Sequence, residues 1–222
     1  MNDILHIIWD LDGTLIDSEL EALVALKQSF YEAGVSVSDN QLHFRPGPTI
    51  DKIIEKFFSK DSLSIQKKNE IIERFRKNYD NCGFNNIKPF DGIENILNNN
   101  QFVHHIITNK PDLPTKRILK KLGWDNYFTS VVTPYTFMNE CNDKRKSKTE
   151  LFRSCIADYP KERFVGIGDM ETDIIAALDN NIPAIGVLWG TGTKKELEEC
   201  DSSFFVSTLF ELQQLLQKIK NL

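Results

Sequence analysis

With 222 residues, 41% hydrophobic and 27% charged, the chain can bury the core of one large or two modest domains. Its formal net charge of −5 excludes a general nucleic-acid binder, which needs a basic face, and the cluster Lys144-Arg145-Lys146 with Lys148 is too short to reverse that. No apolar run approaches the roughly 18 residues of a membrane helix, no basic leader with a cleavage site opens the chain, and Cys82, Cys141, Cys155 and Cys200 lack zinc spacing. The expectation is a cytoplasmic protein with reduced thiols and neither membrane nor nucleic acid among its partners.

The first element is a buried strand over residues 5–9, and it delivers Asp10 and Asp12 into a Gly13-Thr14 turn. Residues i and i+2 of a strand share a face, so a strand persisting to Asp12 would aim both carboxylates at one site. Taken alone, Asp12-Gly13 is an ordinary turn pair. A turn needs no second acid, however, and Asp10 directly follows the apolar run Ile4 to Trp9.

Helical spacing follows: Leu20, Leu23, Val24, Phe30 and Tyr31 lead to Gly34, which suits a helix C-cap. After the break Arg45-Pro46-Gly47-Pro48, two more helical patterns run through Ile50, Ile53, Ile54, Phe57 and Phe58, then through Ile71, Ile72, Phe75 and Tyr79. Residues 17–84 are therefore expected to be helical throughout.

Beyond the Asn-rich stretch 78–86 and the turn Pro89-Phe90-Asp91-Gly92, short apolar runs at 103–107, 130–132, 163–167, 183–187 and 203–206 alternate with amphipathic helices. That alternation predicts βαβ units and a mostly parallel sheet. The expected organisation is an α/β domain over 1–16 and 85–222, interrupted by a helical domain over 17–84. Ligands of open α/β sheets bind at the carboxyl ends of strands, which directs attention to Thr108-Asn109 and to Gly168-Asp169-Met170-Glu171-Thr172-Asp173. Asp169 and Asp173, four apart, would share a face of a helical turn, although a helix cap or a dipole-favoured acid explains them equally. In Lys144-Arg145-Lys146-Ser147-Lys148-Thr149-Glu150-Leu151-Phe152, which opens a helix, most lysines read as a solvated face. His43, His104 and His105 read as structural or surface residues.

Four of these segments, in order, resemble the motifs of the haloacid dehalogenase-type phosphohydrolases, over residues 4 to about 187. The first is Asp10-Leu11-Asp12-Gly13-Thr14-Leu15-Ile16-Asp17-Ser18 after its strand. The second is Thr108 with Asn109, and the fourth is Asp169 with Asp173. For the third, Lys148 fits a Lys-x-Glu-Leu form; Lys146, the second choice, fits a Lys-Pro-x-Pro form with Ser147 and Thr149 in place of both prolines. Gly186-Val187-Leu188-Trp189-Gly190-Thr191-Gly192 resembles a segment that follows the fourth motif in phosphoglycolate phosphatase-like members. Arg45-Pro46-Gly47-Pro48-Thr49 resembles their cap loop, with a plain helix-helix turn as the equal alternative.

The resemblance implies a Rossmann-like core with an inserted helical cap and a Mg²⁺-dependent phosphatase for a small phosphorylated metabolite. By the same resemblance, Asp10 is the nucleophile that becomes an aspartyl-phosphate, and Asp12 is the general acid and base. Asp10, Asp169 and the backbone carbonyl of Asp12 hold Mg²⁺, with Asp173 acting behind them or through water. Thr108, Lys148 and the backbone around Gly13 and Thr14 hold phosphoryl oxygens, and Asn109 and Arg45 contribute to substrate binding. Asp12 sets the chain apart from the dehalogenating members, which lack it. A phosphomutase of the β-phosphoglucomutase type and a non-catalytic binding protein on the same fold are the rivals.

Overall fold

The computed structural model describes residues 4–38, 50–58, 63–134, 136, 146–159, 163–200 and 204–221. Arg45 with the rest of its Pro-Gly loop, His43, Cys141, Lys144 and Arg145 lie outside them. In chain order the elements are β1 (Leu5–Trp9), β2 (Ile16–Asp17), α1 (Glu19–Glu32), α2 (Ile50–Phe57), α3 (Ile65–Asn81), β3 (Lys88–Pro89), α4 (Ile93–Leu97), β4 (Phe102–Ile107) and α5 (Asp112–Leu122). They continue with β5 (Phe128–Val132), α6 (Lys148–Ala157), β6 (Arg163–Gly168), α7 (Glu171–Leu178), β7 (Ala184–Val187), α8 (Lys194–Glu198), β8 (Phe204–Val206) and α9 (Leu209–Lys220). Among the described residues no helix is long and apolar enough to cross a membrane.

The chain divides into two compact units, residues 1–17 with 89–222, and residues 18–88. The first is Rossmann-like: a parallel six-stranded sheet in the order β5-β4-β1-β6-β7-β8, flanked by helices. β1 is central, with Ile8 opposite His105 of β4 on one side and Gly166 of β6 on the other. A strand paired on both edges and covered on both faces reads as a nearly continuous apolar run; every residue of Leu5–Trp9 is buried, His6 being the one polar ring among them. From β1 the chain builds β4 and β5 on one side, then crosses back to build β6, β7 and β8 on the other. The reversal places a crevice at the carboxyl ends of β4, β1 and β6, where such sheets bind ligands.

The second unit is built from α1, α2 and α3. Phe30 meets Phe57 and Phe58 edge-on, and Asn78 of α3 donates to Ser29 Oγ of α1 at 3.1 Å. Gly34, at φ +68°, ends α1 as its spacing predicts; the Val35 amide reaches back to the Phe30 carbonyl at 2.9 Å. The two-residue strands β2 and β3, which pair with each other, are not foreseen in the sequence because so short a segment carries no periodicity.

His104 and His105 are core residues, as is His6. Successive strand residues face opposite sides, so the two β4 histidines enter different layers. Trp9 Nε1 donates to His104 Nδ1 at 3.0 Å, whereas His105 bridges His6 at 2.9 Å and Ser130 Oγ at 2.7 Å. Burial pushes His104 down to about 4, and burial together with His6 and His104 does the same to His105.

An imidazole depressed in the folded state contributes stability above the ordinary histidine pKa and loses it as pH falls toward the folded value. Replacing His104 with Phe, which suits its Trp9 and Phe102 ring neighbours, removes one such group. In urea unfolding, wild type should lose about 2 kcal/mol relative to His104→Phe between pH of about 7 and about 5. Parallel pH profiles would contradict this.

Candidate active site

Three adjacent strand ends supply the acids and the hydroxyl: Asp10 follows β1, Thr108 follows β4 and Asp169 follows β6. β1 ends at Trp9, as expected, one residue before Asp10, so the condition under which Asp10 and Asp12 would share a strand face is not met. The chain instead turns, with the Gly13 amide on the Ile16 carbonyl at 2.8 Å and the Leu15 amide on that of Leu11 at 3.0 Å. Gly13 sits at φ +82°, a left-handed conformation that favours glycine, and a Cβ there would collide with the Asp169 carboxylate. The turn sends the two aspartates to different partners.

Asp10 Oδ1 accepts from Lys148 Nζ at 2.5 Å, and Lys148 also pairs with Asp173. Local sequence fixes the lysine. Ser147-x-x-Glu150 forms a capping box, with Glu150 N on Ser147 Oγ at 3.3 Å and Ser147 N on Glu150 Oε2 at 2.7 Å. That makes Lys148 the first residue of α6 and buries it, while Lys146 stays half-buried ahead of the cap. Of the two candidate lysines, Lys148 is the one the structure brings to Asp10.

Asp12 pairs with a lysine the sequence reading passes over: Lys110 Nζ lies 2.9 Å from Asp12 Oδ1, both side chains being about nine-tenths buried. The Lys110 amide also donates to Thr108 Oγ1 at 3.1 Å, leaving the buried Thr108 hydroxyl proton available for another acceptor. Asn109 is half-buried in the same turn. The only signal for Lys110 is its place two residues beyond a strand-end threonine, and most lysines in loops are solvated.

Asp169 and Asp173 do not share a helical face, as four-residue spacing suggests. Asp169 is in the turn between β6 and α7, and Asp173 is in the first turn of α7, so the turn itself brings them together. Asp173 Oδ2 accepts from the Met170 amide at 3.0 Å, making it a cap and a site residue at once. Asp169 is fully buried; its Oδ2 accepts from Thr191 N at 2.7 Å and Thr191 Oγ1 at 3.0 Å, and its Oδ1 from Thr14 Oγ1 at 3.3 Å. Thr191 and its neighbours stand in the segment already singled out by resemblance, without a role read for them. Trp189 Nε1 completes the layer by donating to the Thr14 carbonyl at 3.2 Å.

Ligand oxygens of Asp10, Asp169 and Asp173 all lie within 4.8 Å of one another. Burial raises Asp10 well above the usual carboxylate range, and Asp173 and Asp169 add to the rise while Lys148 opposes it. Burial, then Asp173, lifts Asp169 to about 6 against its bonds from Thr191. Burial disfavours the Lys148 ammonium, but Asp10 and Asp173 outweigh it and keep it charged. Among the described residues, and counting Asp12 and Lys110, the site's acids exceed its ammonium groups by two, the charge of one divalent cation. Clustered hard oxygen donors suit Mg²⁺.

Residues 7–187 match the family model described as haloacid dehalogenase-like hydrolase. The chain is 25% identical to a 5'-nucleotidase of Pseudomonas aeruginosa over 96% of its own length and 95% of the relative's. It is 29% identical to a phosphoglycolate phosphatase of Aquifex aeolicus over 83% and 84%. The crystal structure of a predicted phosphatase from Clostridium acetobutylicum superposes with a TM-score of 0.81 at 26% identity, covering 97% of this chain and 99% of that one.

Removing the ammonium from this cluster leaves buried like charges without their counterion. In EDTA at neutral pH, Lys148→Met should lower the urea-derived unfolding free energy by about 3–5 kcal/mol. Part of the loss should return at pH of about 5, where the carboxylates are neutralised by protons. A variant as stable as wild type at neutral pH would show that Lys148 does not balance the acids.

Proposed function

The chain belongs to the haloacid dehalogenase-like hydrolase family, and we propose that it is a Mg²⁺-dependent phosphatase acting on a small phosphate monoester through an aspartyl-phosphate on Asp10. The observation that carries this reading is the separation of the two acids. Asp10 lies in the carboxylate cluster with Lys148, whereas Asp12 is anchored by Lys110. Two acids with different tasks need different surroundings.

In this reading Asp10, Asp169 and the backbone carbonyl of Asp12 hold the metal, with Asp173 acting through water. The bound cation supplies charge neutralisation for the phosphoryl group. A carboxylate oxygen of Asp10 forms a bond to phosphorus as the bond to the leaving oxygen breaks. The electron pair stays on that oxygen, which takes the proton carried by Asp12. In the second half, water attacks phosphorus, Asp12 takes its proton, and Asp10 is released as a carboxylate with inorganic phosphate. The Thr108 hydroxyl, the Lys148 ammonium and the amides near Gly13 and Thr14 hold phosphoryl oxygens as charge shifts. Asn109 and, from sequence alone, Arg45 are proposed to contact the substrate.

The relatives' names, a 5'-nucleotidase and a phosphoglycolate phosphatase, agree on phosphate monoesters and differ in the leaving group. They support the reaction class and leave the metabolite open. A non-catalytic role is disfavoured by the physics of the site, since a binding module gains nothing from burying so many acids together.

Purified protein should release phosphate from p-nitrophenyl phosphate with Mg²⁺ and lose that activity in EDTA. Asp10→Asn should reduce turnover by about a thousandfold or more; unchanged turnover would sink the mechanism. Cation binding competes with protons. Burial lifts Asp169 to about 6 and raises Asp10 as well, so calorimetric Mg²⁺ affinity should fall as pH drops through about 6, by about tenfold per unit or more. Affinity that rises on acidification would contradict Asp169 as a ligand.

A further inference from the structure

Trp189-Gly190-Thr191-Gly192 lies after β7 and outside the four motif segments, yet its bonds to Asp169 are shorter than the one from Thr14 of the first segment. The Thr191 amide and hydroxyl converge on Asp169 Oδ2 at 2.7 and 3.0 Å, and Asp169 Oδ1 is met only by Thr14 at 3.3 Å among the hydrogen bonds given above. We infer that Thr191 is a positioning residue for the metal site, holding one oxygen of Asp169 so that the other is presented to the cation. This rests on the proposed role of Asp169 as a ligand.

The flanking glycines explain how so close an approach arises. Neither Gly190 nor Gly192 is among the glycines with positive φ, so turn conformation does not require them. Space does: a Cβ on Gly190 would collide with the Gly13 carbonyl and the Asp169 carboxylate, and one on Gly192 would overlap the Asp169 carbonyl. The segment is glycine-flanked because its backbone runs against Asp169. Thr191, between them, is the residue whose side chain can reach the carboxylate.

The hydroxyl has a second acceptor within reach, Met170 Sδ at 3.5 Å, but a thioether is weak beside a carboxylate at 3.0 Å. With Oδ2 satisfied by strong donors, Oδ1 carries the weaker bond and is the oxygen free to exchange its partner for a metal. Groups behind a ligand commonly change metal affinity ten- to a hundredfold when removed. The Thr191 amide survives any side-chain change, so the effect of the hydroxyl alone belongs at the lower end.

The test is calorimetric titration of the full chain with Mg²⁺, comparing wild type, Thr191→Val, Thr191→Ser and Asp169→Asn at pH of about 7.5. Thr191→Val should weaken binding by about tenfold, and Thr191→Ser, which keeps the hydroxyl, should stay within about twofold of wild type. Wild-type affinity in Thr191→Val would overturn the inference, as would a Thr191→Ser variant as weak as Thr191→Val, which would assign the effect to packing of the methyl group. Asp169→Asn separates the two levels. If it binds Mg²⁺ like wild type, the metal-site reading beneath the inference fails; if it loses binding while Thr191→Val does not, only the role of Thr191 fails.

Discussion

Burying Asp10, Asp169 and Asp173 within 4.8 Å of one another is the constraint on which the rest of the site depends. Each desolvated carboxylate resists ionisation, and each neighbouring carboxylate strengthens that resistance. A single ammonium, Lys148, bridges Asp10 and Asp173. The scaffold fixes the arrangement: Asp10 and Asp169 follow buried central strands of the parallel sheet, Asp173 enters the first turn of α7, and the lysine is set at the start of α6 by its capping box. Folding stability is drawn on to keep the cluster short of positive charge, which the proposed cation would supply.

Charge is also partitioned within the site. Lys148 and Lys110 take one acid each of the Asp-x-Asp pair, although the two acids are separated by a single residue. The sharp turn after β1, with Gly13 in a left-handed conformation, makes that possible. Had β1 continued to Asp12, both carboxylates would have lain on one face of the strand.

Much of this was legible in the sequence, for reasons that differ by element. Strands β1, β4 and β6 carry mostly apolar runs because both their faces are covered, with His6, His104 and His105 as buried exceptions, and α1 announces its end through Gly34. The acids stood out because aspartates directly after buried strands have little structural use. The sequence favours Lys148 over Lys146 through resemblance to a Lys-x-Glu-Leu motif, and the capping box of Ser147 and Glu150 is the local reason it is the buried one. Lys110 could not be picked out, since nothing in Thr-Asn-Lys separates a buried cation from a solvated one; only the packing of the β4 turn against the β1 turn does. The glycines at 190 and 192 were visible as residues, but their cause, the approach of backbone to Asp169, depends on a contact between turns that no sequence period encodes. β2 and β3 were too short to leave a pattern.

The proposed chemistry stands on Asp10 becoming covalently phosphorylated, and the most direct test is to look for that bond. Enzyme mixed with Mg²⁺ and a phosphate monoester, quenched in acid within the first turnovers and digested, should yield the peptide carrying Asp10 heavier by one phosphoryl group. The modification should be labile to hydroxylamine, as an acyl phosphate is. Rapid phosphate release with that peptide unmodified, or with the phosphoryl group on another residue, would contradict the account.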